Sequence, residues 1–400
     1  MTQHAMPNTQ IEWRSLFPER RVASPTYAGD VVGDIERFDE RDCMFARMDL
    51  QPGTDRYDAY YHVHDEFQAA DDFLRAMPPL GSSGAPPDAA MMGSLFEAIL
   101  EIGRFNASGD VVPVGPPTSR LKAQLDPGEA ALKVKSVARH LGADVVGIGP
   151  LNPAFVYSHV GRTFYGQRWG EEIRLAHPSA ISIGVAMDYR FLQRYAPGFP
   201  TILESALAYA KAAVVAVQLA LYIRKLGYSA RAHHLRDYQL LSVPVAIDGG
   251  LGELGRSGVL INREFGSAFR LSTVTTDLPI LVDEPVDLGV QQFCEKCRLC
   301  AMACPSGAIP RGEKIAVGGV RRWKLSAGRC YHYWRTCGSD CALCLVACPW
   351  SQPDAETLGR RPIRSEPVLE PETLAAAASI RSTLPAWLRR MLGVEDGATA

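Results

Sequence analysis

Nine of the ten cysteines fall between Cys294 and Cys348, and their spacing constrains the fold more than any other feature of this 400-residue chain. The first run, CEKCRLCAMACPSGAIP from residue 294, reads Cys294-x2-Cys297-x2-Cys300-x3-Cys304-Pro305. Three thiolates so spaced wrap three corners of one [4Fe-4S] cubane. The fourth, turned away by the proline, reaches the other cluster, as in ferredoxins that carry two. Zinc favours paired CxxC knuckles and fits this pattern poorly. The second run, Cys341-x2-Cys344-x3-Cys348-Pro349, is one thiolate short. Cys330 and Cys337 both lie upstream, and counting does not choose between them. The crossed pattern assigns Cys294, Cys297, Cys300 and Cys348 to one cluster, and Cys304, Cys341, Cys344 and an upstream cysteine to the other. Two clusters a short hop apart make a path for electrons. Clustered thiols also indicate a reducing compartment rather than a disulfide framework. Cys43, alone near the other end, reads as a small buried hydrophobe.

With 22% charged and 47% hydrophobic residues, the chain has a globular composition and length for two or three domains. Its net charge of -2 sets up no whole-molecule basic field, which argues against nucleic acid or anionic lipid as a partner. The N-terminal MTQHAMPNTQIEWRSLFPERRVASPTYAG lacks the apolar run of an export signal, so a cytoplasmic location is expected. The apolar stretch Ala206 to Ile223 is long enough to test as a membrane span. Lys211 and Gln218 interrupt it and Gly227 offers a C-cap, so a buried core helix is expected instead.

Residues 1–120 read as an irregular N-terminal wrapping region around one helical stretch, MMGSLFEAILEIGRF. From 121 to 285 the pattern is orderly: a helix in EAALKVKSVARHLG, strands in ADVVGIGPL and SAISIGVAM, the long helix, then YSARAHHL. Alternating elements imply an α/β layer domain. Residues 286–354 form the two-cluster domain and 355–400 a tail. A loop with glycines at 249, 250, 252, 255 and 258 joins two strand-like runs, VPVAID and SGVLI. It departs from the GxGxxG dinucleotide fingerprint, and beside the cysteines it suggests that something large packs there. His233, His234 and the HVH at 62–64 read as surface or satisfied core residues rather than metal ligands.

Three segments, VAIDGGLGELGRSGVLINREFGSAFRL, TTDLPILVDEPVDLGVQQFCEKCRLCAMACPSGAI and CYHYWRTCGSDCALCLVACPW, resemble the corrinoid-dependent reductive dehalogenases, with a likeness running from about 125 to 352. The epoxyqueuosine reductases are related, but GLGELGR and TTDLP look more like the dehalogenase side. The resemblance implies an α+β or α/β, nitroreductase-like corrinoid-binding domain followed by a bacterial-ferredoxin-like domain with two [4Fe-4S] clusters. It favours Cys330 over Cys337 as the eighth ligand. It implies cobalamin held base-off against Gly249, Gly250, Leu251, Gly252, Glu253, Leu254, Gly255, Arg256, Ser257 and Gly258. The absence of a DxHxxG motif fits a cobalt without a lower histidine. It further implies a tyrosine proton donor, matched to Tyr157, supported by a cation for which Lys211 and Arg224 are candidates and Lys211 is preferred. The implied activity is removal of halide from a small organic molecule, aromatic compounds included, with electrons from an external ferredoxin, flavodoxin or reductase. A homodimer is compatible with it. The alternatives are a reductase of a non-halogenated substrate such as epoxyqueuosine in tRNA, and a plain electron carrier.

Overall fold

The protein is described by a computed structural model covering residues 17–80, 93–99, 101, 114–115 and 122–352 apart from 236. The tail expected at 355–400 and the first sixteen residues lie outside the described residues.

The N-terminal region is more helical than its Pro- and Gly-rich punctuation suggests. It holds α1 (Met44–Asp49), α2 (Asp55–Val63) and α3 (Asp65–Ala76). Thr54 caps α2 by accepting from the Tyr57 N–H, and Asp65 and Glu66 open α3 where negative charge suits the helix dipole. Tyr57, Tyr60 and Tyr61 bury their rings and direct their hydroxyls to Asp72, Asp42 and Asp71, so the period here is carried by tyrosines rather than aliphatic residues. Residues 93–99 are helical, within the stretch expected to be so.

The central sheet has five strands: β1 (Val114–Gly115), β2 (Val145–Pro150), β3 (Ser179–Ala186), β4 (Ala230–His233) and β5 (Phe269–Thr276). Their order is β1-β4-β5-β3-β2 and every pairing is antiparallel. The sheet is therefore of the α+β kind, and element alternation alone did not imply parallel pairing. β5 is central, flanked by β3 over eight residue pairs and by β4 over four.

Helices α4 (Pro127–His140), α5 (Tyr189–Tyr195) and α6 (Pro200–Lys225) follow the residues that favour them. Asp126 caps α4 by accepting from the N–H of Gly128 and Glu129, and Pro127 takes the first turn, where its missing N–H costs nothing. Val134 and Ala138 of α4 and Val215, Leu219 and Ile223 of α6 pack on Ile148, Ile181, Ile183 and Val274 of the sheet. At 26 residues and mean hydropathy 1.7 over its most apolar window, α6 is long and apolar enough for a membrane, yet half of that window is buried inside the protein. It is a core helix, and Lys211 within it is simply on its exposed face.

VPVAID, which reads as a strand, is instead a short helix, α7 (Ser242–Asp248). It ends where Gly249 lies on the backbone of β2: a Cβ on Gly147 would stand 2.2 Å from the Gly249 carbonyl oxygen, and one on Gly149 would stand 2.7 Å from its nitrogen. The strand glycines are there to admit this helix end. Beyond it the chain enters α8 (Val290–Lys296), α9 (Leu299–Met302), α10 (Ala327–Cys337) and α11 (Leu343–Val346), which carry the cysteines. Their core is aromatic, with Trp323 and fully buried Trp350 packed beside Cys294 and Cys348.

Candidate functional site

A cavity of about 1160 Å³ opens between the sheet domain and the cysteine-bearing helices. Drug-sized ligands occupy roughly 300–1,000 Å³, so this space suits a larger guest. Its walls come from every part of the chain: Phe38 and Phe45 from the N-terminal region, Tyr157 and Arg162 after β2, Ser205 and Tyr209 of α6, Arg270 of β5, and Tyr331 and Trp334 of α10.

The cysteines sit close enough to influence one another's protons, within and between the two expected quartets. Cys330 is affected by Cys304, Asp340 and Cys337, Cys344 by Cys330 and Cys304, Cys341 by Cys344, Cys337 and Cys330, and Cys300 by Cys344 and Cys348. Cys294 feels Cys348 and Cys297, while Cys348 feels Cys297 and Cys344. Burial pushes these thiols up, Cys294 and Cys344 to about 12 and Cys330 and Cys348 to about 11. Without iron they are neutral thiols, and cluster binding must displace their protons. Among the described residues no three His, Cys, Asp or Glu side chains converge on a single-ion site.

Cys337, the rival for the eighth ligand, sits seven residues after Cys330 on α10. Its Sγ donates to the carbonyl of Ser339 at 3.2 Å and approaches that of Trp334 at 3.7 Å. A thiol so engaged is turned to backbone, while Cys330 shares electrostatic influence with Cys304 and Cys344. Tyr331 and Asp340, the chain neighbours of Cys330 and Cys341, line the cavity, as does Trp334 on the same helix as Cys330.

The glycine-rich loop does a different job from the one expected. Gly252, at φ +154, would bring a Cβ to 2.0 Å from the Ile261 carbonyl oxygen, and Gly250, at φ +71, would bring one to 2.5 Å from that of Glu284. Gly255 is closed off by Ile261 and Gly249 by β2. These glycines admit other parts of the chain. Glu253 is buried and its Oε2 accepts from the N–H of Leu288 at 2.5 Å and of Val290 at 3.1 Å, at the head of α8. Arg256 is buried too. It donates to the carbonyls of Cys294 at 2.9 Å, Pro310 at 3.1 Å and Gly312 at 2.8 Å, and its guanidinium lies 4.5 Å from the Trp323 ring centroid. Leu251 packs in the core against Ala246 and Phe265, and Ser257 is buried. Of the ten residues expected at the cofactor, Leu254 and Gly258 line the cavity. The loop clasps the first cluster segment onto the sheet domain.

Tyr157 lines the cavity, but its partners differ from expectation. Its N–H donates to the Gln239 carbonyl at 2.9 Å, and its ring centroid lies 6.0 Å from that of Phe38 and 5.9 Å from that of Tyr238. Burial pushes the phenol well above its ordinary value, with Tyr238, Cys43 and Glu40 adding to the rise; Arg162 opposes it. The cation near Tyr157 is therefore Arg162, itself held by Asp49 at 2.8 Å. Lys211 is exposed on α6, and Arg224 is buried near the far end of that helix; neither lines the cavity.

Sequence reasoning missed a second tyrosine and its cation. Tyr209, on α6, lines the cavity, and the Arg270 guanidinium lies 5.1 Å from its ring centroid. Arg270 is fixed by the Ser205 hydroxyl at 2.7 Å and the Asp340 carboxylate at 3.2 Å. The available signal was the polar residues Ser205 and Tyr209 spaced four apart on an otherwise apolar helix. Of the histidines singled out, His233 is buried between Thr275 and the Gln239 N–H, while His234 lines the cavity, held near 4 by burial and by Arg231.

The 4Fe-4S dicluster domain family matches residues 293–352. The tetrachloroethene reductive dehalogenase of Dehalobacter restrictus is 31% identical over 272 residues, covering 56% of this chain and 48% of that protein. The enzyme of the same name from Sulfurospirillum multivorans is 32% identical over 259 residues, 57% of this chain and 51% of that one. An epoxyqueuosine reductase of Salmonella typhimurium is 29% identical over 175 residues, 38% of this chain and 41% of that one. Among solved structures, a catabolic reductive dehalogenase in complex with 3-bromo-4-hydroxybenzoic acid aligns with a TM-score of 0.64 and 26% identity over 94% of this chain and 48% of that one. A second, whose structure suggests a mechanism for B12-dependent dehalogenation, gives 0.64 and 26% over 96% and 48%. The chain spans about half the length of the curated relatives it matches. In sequence and in fold, with a two-cluster [4Fe-4S] domain at its C-terminal side, it is a relative of the corrinoid-dependent reductive dehalogenases.

Proposed function

We propose that this chain is a corrinoid- and iron-sulfur-dependent oxidoreductase that removes halide from an aromatic organohalide, using electrons from an external donor. The net change is two electrons and one proton in, a carbon-halogen bond broken, a carbon-hydrogen bond formed and halide released. The observation that carries the reading is the cavity of about 1160 Å³, whose lining includes Tyr331 and Asp340, the chain neighbours of Cys330 and Cys341. Space for a macrocycle and a source of low-potential electrons are thereby adjacent. When bound, the corrinoid supplies the reducing cobalt.

The residues present fit such a guest. One wall is of aromatic side chains, Phe38, Phe45, Tyr157, Tyr238, Tyr331 and Trp334, which would exclude water and stack on flat rings. Val243, Leu254, Gly258 and Val259 offer low relief on another. The two quartets conduct electrons inward, from Cys294, Cys297, Cys300 and Cys348 to Cys304, Cys330, Cys341 and Cys344.

The proton is assigned to Tyr209 rather than Tyr157. A phenol near pKa 10 is a poor acid unless a cation stabilises its anion. Burial drives Tyr157 the wrong way, whereas Tyr209 has the fixed Arg270 guanidinium against its ring. The aromatic wall also supports a flat halogenated substrate, and a structural neighbour was solved with 3-bromo-4-hydroxybenzoic acid. Thiol-rich cluster ligation supports a reducing, cytoplasmic setting. The test is anaerobic reconstitution with iron, sulfide and cobalamin, followed by halide release from halogenated phenols and hydroxybenzoates. Protein that carries its clusters yet neither retains cobalamin nor releases halide from any of these would refute the reading.

A further inference from the structure

The chain as a whole carries a net charge of -2, yet its cluster segment is strongly basic: between Cys294 and Arg335 there are nine lysines and arginines against two acidic residues, Glu295 and Glu313. Some of this charge is spent internally. Lys314 pairs with Asp30, and Arg335 donates to the carbonyls of Met77 and Pro78. Lys296, Arg298 and Arg311 are exposed, and among the described residues none of them forms an ion pair.

These three charges are held together by the fold. Arg256 binds the carbonyls of Cys294 and Glu295 on one side and of Pro310 and Gly312 on the other, so the segments bearing Lys296 and Arg311 flank one buried side chain. Arg298 lies between Cys297 and Cys300, ligands of the first cluster. Met302, at the end of α9, is 43% exposed beside them. An exposed apolar residue whose N–H donates to the Arg298 carbonyl at 2.9 Å, on a segment rich in unpaired cations beside a redox centre, is a surface shaped for contact. Chain neighbours of Cys330 and Cys341 line the cavity and none of the first quartet's do, so the first cluster is the side at which electrons would enter.

We propose that this surface docks a small acidic one-electron carrier of the flavodoxin or ferredoxin type, whose negative face meets Lys296, Arg298 and Arg311 around Met302. The inference deepens the proposed function by assigning the entry point of its electrons, and it rests on that reading for the direction of flow. Anionic RNA would be attracted by the same charges. The carrier is favoured because the cations surround a cluster, where an electron needs close approach and a nucleic acid has nothing to do. In the step itself, one electron leaves the reduced carrier and one oxidised cluster gains it; no bond is made or broken.

The test reads cluster reduction rather than dehalogenation. Cluster-loaded protein is mixed anaerobically with reduced flavodoxin as the probe, and bleaching of the iron-sulfur absorbance is followed by stopped flow. Steered association is sensitive to salt, so the second-order rate should fall at least about tenfold from about 50 to about 300 mM salt. Lys296→Glu with Arg311→Glu should lower it by about tenfold at low salt, while photoreduction through neutral deazaflavin stays unchanged. Arg311→Glu alone, off the cysteine runs, gives the same sign if the double variant loses iron. A salt-independent rate in the native protein, or an unchanged rate in a cluster-replete variant, overturns the proposal. So does an RNA stem-loop whose binding these substitutions abolish while the flavodoxin rate stays unaltered. Clusters that reduce normally in protein that never releases halide would instead count against the proposed function and leave the docking surface standing.

Discussion

Tyr209→Phe is the sharpest probe of the site. It removes one hydroxyl from a residue that lines the cavity and keeps the ring on which Arg270 rests at 5.1 Å. Arg270 keeps its bonds to Ser205 and Asp340, so no charge is left uncompensated. Cluster and cobalamin content should therefore match the native protein. Loss of a positioned general acid costs about 10²–10⁴ in rate, or about 3–5 kcal/mol of barrier at about 1.36 kcal/mol per decade. Tyr157→Phe should cost less than about tenfold, because its phenol is held neutral by burial well above the range of a working acid. The assay is halide release with a chemical reductant, with both variants at matched cofactor loading. Full activity in Tyr209→Phe with a hundredfold loss in Tyr157→Phe would reverse the assignment and return the proton to the residue that sequence alone suggested.

Cys330→Ser should remove the second cluster and bring iron from about eight to about four atoms per chain, while Cys337→Ser, at a thiol turned to the Ser339 carbonyl, should leave the content near eight; the reverse result makes Cys337 the ligand. Bound cobalamin is expected base-off with no protein nitrogen on cobalt, so paramagnetic resonance of the Co(II) form should lack axial nitrogen splitting. A splitting that disappears in His234→Ala would show that this cavity-lining histidine is the ligand. Glu40, fully buried with one oxygen accepting from the Gly161 N–H, is raised by burial from 4.5 to about 7. The folded carboxyl thus binds its proton more tightly than the unfolded one, and stability falls as pH rises from about 4.5 through about 7, by about 3 kcal/mol. Glu40→Gln should flatten that part of the pH profile of Tm; an unchanged slope refutes the assignment.

What the sequence made legible, and what it hid, divides along physical lines. Cluster ligation is local: five short spacings place seven of the thiols, and the crossed pattern can be read before any fold is known. The strands and the long helix were legible because their apolar faces repeat with a fixed period. The pair proposed to supply the proton was not, because Tyr209 and Arg270 come from α6 and β5 and meet only when the helix packs on the sheet. Lys211 misled for a reason helix geometry explains. Two residues beyond Tyr209 is about 200° around the axis, so when Tyr209 faces the cavity Lys211 faces away. A charge in an apolar helix needed no partner here; it needed only the exposed side. VPVAID was misread because five apolar residues before Asp248 carry no period able to separate a strand from a short helix.

The glycine loop shows how a correct inference about backbone can carry the wrong cause. Close approach was real at Gly249, Gly250, Gly252 and Gly255, but what approaches is β2, Glu284 and Ile261. The reason lies in the two charged residues between those glycines. Glu253 holds the first N–H groups of α8 and Arg256 holds the carbonyl of Cys294 at its far end, so the loop grips the helix that presents the first ligand at both ends. Both side chains are buried and so costly to leave unpaired, and each is balanced by the backbone dipoles of the cluster segment. Arg256 also favours the thiolate at Cys294, the form iron needs. Shifting α8 would strip both charges of their partners at once, whereas an apolar contact would yield gradually. The loop therefore fixes the first cluster relative to the sheet domain that bears Tyr209 and Arg270. Electron transfer between centres that do not touch depends on that separation staying constant, and the tight glycines are what let the grip close.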